Sequence, residues 1–126
     1  MSNTFIVSSH QADRAGLHQD LYLSSSADCT NYMAWALPKG IPLKSGDRRL
    51  AVRVEDHSPQ QAEFEGVIAE GYGKGTKELF DEGTFIAYKH ITAPKPIKLE
   101  FYGSKVRGTY FLKHWEDKRW LIWKAS

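Results

Sequence analysis

The sequence predicts an all-β protein, a single domain over residues 1–126 that forms either a sandwich or a closed β-barrel. Short runs rich in Val, Ile, Phe, Tyr, Trp and Thr recur along the chain, and groups of Gly, Pro, Asp and Ser separate them. No segment has the pattern of a long helix. The length of 126 residues and the apolar fraction of 41% suit one hydrophobic core. About ten strands at this spacing are typical of a sandwich or a closed barrel, and closure removes exposed sheet edges.

The candidate strands follow one another in short steps along the chain. They are Thr4–Ser9, Asp20–Ser24, Tyr32–Leu37, Arg48–Glu55, Phe64–Ile68, Gly75–Phe80, Gly83–Lys89, Ile97–Tyr102, Arg107–His114 and Arg119–Lys124. Turn-forming groups such as Ser45-Gly46-Asp47 and Pro94-Lys95-Pro96 mark the breaks between them. The polar stretch Asp13–His18 fits either one helical turn or a loop.

Charge and cysteine content restrict the class of protein. The net charge is +2, yet residues 94–126 hold 8 Lys and Arg against 3 Asp and Glu. This basic, Trp-rich quarter suits either binding to a nucleic-acid backbone or the solvated faces of ordinary strands.

The single Cys29 excludes an internal disulfide framework and a Cys-rich zinc site. No apolar run reaches the roughly 20 residues of a membrane span and no secretory signal is present, so we expect a cytoplasmic protein with no membrane partner.

The strand that contains Arg48–His57 carries a candidate ligand site at its end. Alternation gives Leu50, Val52 and Val54 one face, and the opposite face holds Arg49, Ala51, Arg53, Glu55 and, if the chain stays extended, His57. An acid and an imidazole at the end of a strand suit a ligand site at a barrel mouth. A solvated face of an edge strand remains the alternative.

A second cluster, near the N-terminus, has the residue types of a metal site. His18 and Asp20 project from one face of an extended chain, and His10 comes from the end of the preceding strand. Two imidazoles and a carboxylate suit Mn, Fe or Zn, although isolated histidines are common on surfaces and in cores. An iron oxygenase that uses His18, Asp20 and His57 as its two-His-one-carboxylate site is a further alternative. Lys39, just after Pro38, suits either an anion contact or a solvated turn.

Taken in order, these segments resemble the 3′-phosphoesterase domain of the bacterial and archaeal end-joining ligase D, which also occurs as a free-standing protein. The resemblance runs from about Phe5 to Lys124. The matching pieces are Phe5-Ile-Val, His10, Leu17-His18-x-Asp20, Trp35-Ala-Leu-Pro-Lys-Gly40, Arg49-Leu-Ala-Val, Val54-Glu-Asp-His57, Phe64-Glu-Gly-Val-Ile68, Glu70-Gly, Tyr72-Gly-x-Gly75-Thr, Asp81-Glu-Gly-Thr84 and Val106-Arg-Gly108.

The resemblance implies a β-barrel with a polar, manganese-dependent site at its mouth, with Co²⁺ or Zn²⁺ as other candidate ions. It assigns metal binding to His10, Asp20 and His57. It assigns phosphate contact and catalysis to His18, Lys39 and Arg49, with Glu55 orienting the site. The implied activity removes a 3′-terminal ribonucleoside and then the resulting 3′-phosphate, which leaves a 3′-hydroxyl. The implied partners are DNA or RNA–DNA 3′ ends, together with a separate ligase and polymerase.

Three positions depart from the family pattern. Gln19 and Tyr22 stand where the family commonly has Tyr and Arg, and Gln61 replaces a common Tyr. Tyr22 removes a positive charge from the implied phosphate pocket, so the resemblance implies a narrowed activity in which the step on a dianionic phosphate is weakened most. The substrate-contact candidates are Arg14, Tyr22, Arg53 and Gln61. A nucleic-acid-binding barrel with weakened or lost catalysis is the alternative.

Overall fold

The computed structural model describes residues 3–12, 16–24, 31–69, 74–89, 91 and 94–126. Within these ranges lie nine strands and one short helix, α1 (Pro59–Glu63). The strands are β1 (Asn3–Ala12), β2 (Gly16–Ser24), β3 (Tyr32–Leu37), β4 (Arg48–His57), β5 (Gly66–Ile68), β6 (Gly75–Ala87), β7 (Ile97–Tyr102), β8 (Arg107–Glu116) and β9 (Arg119–Lys124). No helix among the described residues is long and apolar enough to cross a membrane.

The strands form one antiparallel sheet that closes on itself. The order is β1-β2-β3-β4-β9-β8-β7-β6, and pairing between β1 and β6 closes the ring. Strand β5 is a short addition that pairs with the start of β6, while the end of β6 pairs with β7. The predicted all-β barrel is therefore confirmed.

The barrel interior is apolar and follows the period-two alternation of the strands. Its largest fully buried side chains are Trp35, Tyr110, Phe5, Phe101, Leu21, Leu23, Leu37, Ile97, Leu99, Leu112, Ile122 and Val7. Aromatic rings meet edge to face, with 4.8 Å between the centroids of Phe5 and Phe101 and 5.5 Å between those of Trp35 and Trp120. Such pairs add roughly 0.5–1.5 kcal/mol each beyond the burial of their area.

A second apolar cluster lies on the outward face of the first strands. Four of its members, Ile6, Tyr22, Tyr32 and Ala34, alternate with the interior residues along β1, β2 and β3. The fifth member is Ala62. Ala62 is the buried residue of α1, so this helix covers the outer face of the barrel. The sequence carried a signal for α1 that the strand assignment missed. Ser58 is the N-cap, Pro59 is in the first turn, and Ser58 and Gln61 form a capping box.

Several strand bounds predicted from the sequence differ from the structure, and the largest differences are in β2 and β6. Residues 16–18, expected in a helical turn or loop, belong to β2, and the turn candidates at residues 13–15 lie outside the described residues. Two predicted strands merge into β6. Between Val7 and Ser8 the β1–β6 register shifts, because β6 takes in Phe80 as an extra residue there.

The carboxylate of Asp81 braces the connection between β7 and β8. Its oxygens accept hydrogen bonds from the backbone N–H groups of Ser104, Lys105 and Val106 at 3.2, 2.8 and 2.7 Å. A Cβ atom on Gly103 would collide with this carboxylate, so the close approach requires glycine. Burial by itself raises the pKa of Asp81, but the four backbone donors, including that of Glu82, together lower the pKa below its usual value.

Candidate metal centre

The β1–β2 pair brings three metal-ligand side chains onto one face. His10 lies directly opposite His18 in the ladder, and Ser8 lies opposite Asp20. Asp20 Oδ2 is 3.2 Å from His10 Nδ1, and Asp20 Oδ1 is 3.2 Å from His18 Nε2. One ligand atom from each of the three residues lies within 4.8 Å of the others. The predicted pairing of His18 and Asp20 on one face, with His10 beside them, has the geometry that a metal site requires.

The group lies near the hairpin end of β1 and β2 and points outward from the barrel. Val7 and Leu21 on the same strands point into the apolar interior, whereas His10, Asp20 and Tyr22 line an outer cavity. The polar site that the sequence predicts at the barrel mouth thus lies, among the described residues, on the outer side of the sheet near the strand ends. Period-two alternation accounts for this, because apolar and polar residues alternate along both strands.

The hydrogen bonds of His18 favour a positive charge at this position. Its Nδ1 is 3.3 Å from the main-chain oxygen of Gly16, and its Nε2 faces Asp20. Both neighbours are acceptors, and a neutral imidazole carries one N–H donor. The contact with Asp20 is the main cause that raises the pKa of His18, although burial opposes it. Either a second proton or a cation satisfies this arrangement.

His57 lines the same cavity because of a bulge in β4. Between the pairs Tyr32–His57 and Ala34–Val54, β3 advances by two residues and β4 by three. The extra residue reverses the alternation, so His57 lies on the cavity side with Val54. The expectation that His57 shares a face with Arg53 and Glu55 was therefore wrong.

The ring of His57 is oriented by main chain rather than by a carboxylate. Its Nδ1 lies 2.8 Å from the main-chain oxygen of Glu55, an acceptor, so Nδ1 carries the hydrogen and donates it. In the neutral ring Nε2 then has a lone pair that can bind a metal. The ring also meets Tyr22 edge to face, with 5.3 Å between the centroids. Glu55 is an exposed residue, and it orients the His57 ring with its main-chain oxygen rather than with its carboxylate.

The cavity has a volume of about 780 Å³, an apolar floor and a polar end. Its floor is formed by side chains of β3 and β4, namely Ala34, Ala36, Val52 and Val54. Gln61, Phe64 and Ile68, from α1 and the segment that leads through β5, form the opposite wall. Gln61, a predicted substrate contact, also uses its side-chain oxygen to accept from the N–H of Ser58 at 3.0 Å.

Lys77 is a residue of this cavity that sequence reasoning missed. It lies opposite His10 in the β1–β6 ladder and is 4% exposed. Its Nζ donates to the main-chain oxygen of Gln61 at 2.7 Å and lies 4.5 Å from the centroid of the Tyr22 ring. In the sequence it follows Gly75-Thr76 as an ordinary strand lysine. The register that turns it toward His10 depends on the β6 bulge, for which the sequence gives no local signal.

The cations predicted from the sequence do not line the cavity where the structure describes them. Lys39 is exposed in the turn after Pro38, and Pro38 itself lies at the cavity. Arg49 pairs with Asp47 at 3.5 Å. Arg53 stacks on Trp35, with 5.1 Å from its Cζ to the ring centroid, and pairs with Asp56. Arg14 lies outside the described residues.

Comparison with known proteins matches most of the chain to one kind of domain. A family model described as the DNA ligase D 3′-phosphoesterase domain matches residues 8–114. A multifunctional non-homologous end joining DNA repair protein, LigD of Mycobacterium tuberculosis, is 33% identical over 123 residues, or 94% of this chain. LigD of Pseudomonas aeruginosa is 40% identical over 133 residues, or 97% of this chain. The chain spans 15% of the length of each of these relatives.

Proposed function

The chain belongs to the DNA ligase D 3′-phosphoesterase domain family, and from this premise we propose that it is a metal-dependent phosphoesterase that heals 3′ ends in end joining. It removes a 3′-terminal ribonucleoside, a 3′-phosphate, or both, and leaves a 3′-hydroxyl. The observation that carries the proposal is the group of His10, His18 and Asp20 at the polar end of a cavity. Because the chain belongs to a phosphoesterase family, the reaction proposed for this group is the hydrolysis of a phosphoester.

The proposed metal ligands are His10, Asp20 and His57. The donor set of two imidazoles and one carboxylate suits Mn²⁺, Co²⁺ or Zn²⁺, and the 3.2 Å separation of His10 Nδ1 from Asp20 Oδ2 suits two ligands of one ion. The lone pair on His57 Nε2 supports this residue as the third ligand. When bound, the ion supplies positive charge that polarises a phosphoryl oxygen.

His18 is proposed as the proton donor to the leaving oxygen. Hydrolysis of a phosphodiester breaks the bond between phosphorus and the oxygen of the departing ribonucleoside, and that oxygen must gain a proton. Asp20 favours the protonated form of His18 and raises its pKa, so the ring is available as an acid near neutral pH. Gly16 holds the imidazole through Nδ1, and Nε2, which faces Asp20 in the metal-free protein, is the nitrogen that would pass its proton to the leaving oxygen.

The remaining predicted residues are proposed as contacts around this centre. Lys39, next to Pro38 at the cavity edge, would contact the nucleic-acid backbone. Glu55 orients His57 through its carbonyl. Arg49 is proposed as a phosphate contact, and Arg14 and Arg53 are proposed as further positive charges for the substrate. Each of these roles is tested by single substitution.

The proposed substrates are 3′ ends of DNA or of RNA–DNA strands. The named relatives are DNA repair and end-joining proteins, so we extend the proposal to a separate ligase and polymerase as partners. Action on DNA also suggests the cytoplasm as the compartment. We propose that residues 1–126 work as one domain.

A primer-trimming assay tests the proposal. Duplexes whose labelled primer ends in one ribonucleotide or in a 3′-phosphate are incubated with the protein and Mn²⁺, and the products are resolved on a denaturing gel. We expect both ends to become 3′-hydroxyls, and EDTA to stop the conversion. His10→Ala should abolish it, whereas His114→Ala, on the exposed part of β8, should not.

The proposal would be refuted if folded protein, supplied with Mn²⁺, Co²⁺ or Zn²⁺ in turn, trimmed neither the ribonucleotide primer nor the 3′-phosphate primer. DNA binding without turnover would then favour the binding barrel. The strength of such binding should fall with salt, as expected for phosphate contacts.

A further inference from the structure

Lys77 is the one Lys or Arg among the described residues that line the cavity. Its backbone belongs to β6, which runs between β1 and β5 at this point, opposite His10 on one side and Gly66 on the other. The side chain is almost fully buried. The ammonium group therefore lies inside the cavity that holds the metal-ligand group rather than in bulk water.

Two contacts hold the ammonium group in place. It donates one N–H to the main-chain oxygen of Gln61 and lies over the face of the Tyr22 ring at 4.5 Å. A cation over an aromatic face is attracted by the ring quadrupole. Tyr22 in turn meets His57 edge to face. Lys77 is thus positioned by two residues that line the same cavity, Gln61 and Tyr22.

Neither contact neutralises the charge of Lys77. A carbonyl and a tyrosine ring are both uncharged, and an ammonium carries three N–H donors, of which Gln61 takes one. Burial lowers the pKa of Lys77 and is the largest effect on it, while the negative charge of Asp20 opposes that effect. A buried cation without a direct carboxylate partner is costly to fold, and an anionic ligand would relieve that cost.

We propose that Lys77 binds the phosphate group of the substrate and supplies the positive charge that Tyr22 does not. The inference rests on the proposed function. It deepens that function by assigning a phosphate contact to β6, a strand in which sequence reasoning found no candidate. It also names the substrate that depends on Lys77 most, which is an end that carries a terminal phosphate.

The charge of the site explains this preference. Apart from the proton that His18 carries as the acid, a divalent cation held by Asp20, the single carboxylate among the described lining residues, would leave one net positive charge, which matches the monoanionic phosphodiester. A terminal phosphate at neutral pH carries close to two negative charges. Lys77 supplies the second positive charge, so its loss should weaken the binding of 3′-phosphate ends more than that of ribonucleoside ends.

The test compares Lys77→Met and Lys77→Arg with a matched control, Lys98→Met. Lys98 is an exposed lysine over Tyr88 at 4.8 Å, so the control removes a cation–π lysine outside the cavity. Thermal unfolding and circular dichroism confirm that each variant folds. Inorganic phosphate is titrated calorimetrically into each protein, and kcat and KM are measured separately for 3′-phosphate and 3′-ribonucleotide primers.

We expect Lys77→Met to weaken phosphate binding and to raise KM for 3′-phosphate primers by about 10- to 100-fold, the range for loss of a hydrogen bond to a charged group. The rise for ribonucleotide primers should be smaller, Lys77→Arg should recover most of the loss, and Lys98→Met should behave as wild type. Equal phosphate affinity in wild type and Lys77→Met would overturn the inference. A wild type that binds phosphate but trims neither primer would instead refute the proposed function and leave the phosphate comparison to decide on Lys77.

Discussion

The imidazole rings of His10 and His18 lie side by side across β1 and β2, with 4.7 Å between their centroids. Their direct pairing in the ladder fixes this separation, because the two residues face each other in adjacent strands. Asp20 reaches both rings with its two oxygens. Two imidazoles that share one carboxylate form a compact N,N,O set, and several experiments follow from this geometry.

Asp20→Asn should remove most of the affinity for divalent metal. The substitution keeps the shape of the side chain but removes the charge between His10 and His18. Because loss of an outer-shell partner alone typically costs about 10- to 100-fold in metal affinity, we expect at least that much for this residue. Binding of Mn²⁺ is measured by electron paramagnetic resonance titration. Asp117→Asn, at an exposed turn, is the control, and equal affinities in both variants would exclude Asp20 as a ligand.

Separate substitutions of His57 and His18 distinguish a ligand from an acid. With His57 as the third ligand, His57→Ala should weaken Mn²⁺ binding by about 10-fold or more, while His18→Gln should bind Mn²⁺ nearly as wild type and lose turnover. In the pH–rate profile of the wild type, activity should fall as rising pH removes the proton that His18 must donate. If His18→Gln loses as much metal affinity as His57→Ala or more, the ligand set is the compact group of His10, His18 and Asp20 instead.

The sequence predicted the barrel and the residues of the cluster because both depend on local pattern. Alternation assigns Val7 and Leu21 to the interior. The same alternation places His10 and Asp20 on the outward face. The position of His57 could not be predicted this way, because one extra residue in β4 reverses its face. Lys77 was missed for a related reason. It pairs with His10 because of the bulge at Phe80 in β6, which lies about 70 residues from His10 in the chain.

In metal-free protein, His18 should contribute stability at low pH and lose it at high pH. Its pKa is raised in the folded state by Asp20, so the contribution is complete below the unfolded pKa of about 6.5 and disappears as pH rises through the folded pKa. Urea unfolding of wild type and His18→Gln in EDTA should therefore differ more at pH 5.5 than at pH 8.5. If the difference in unfolding free energy between wild type and His18→Gln stayed constant with pH, Asp20 would not stabilise the protonated ring.

Asp81→Asn should destabilise the barrel away from the cavity. Asn offers one acceptor oxygen, and its amide must face either the N–H of Ser104 or the N–H groups of Lys105 and Val106, so at least one of these donors loses its partner. We expect a loss of about 1–3 kcal/mol in the free energy of unfolding. Because the pKa of Asp81 is lowered in the folded protein, the difference from wild type should be complete above the unfolded pKa of about 3.9 and shrink as pH falls through the folded pKa. Urea unfolding at pH 7 and at pH 3 measures it. The exposed neighbour Glu82→Gln is the control, and an equal effect in both variants would assign the loss to general charge rather than to these hydrogen bonds.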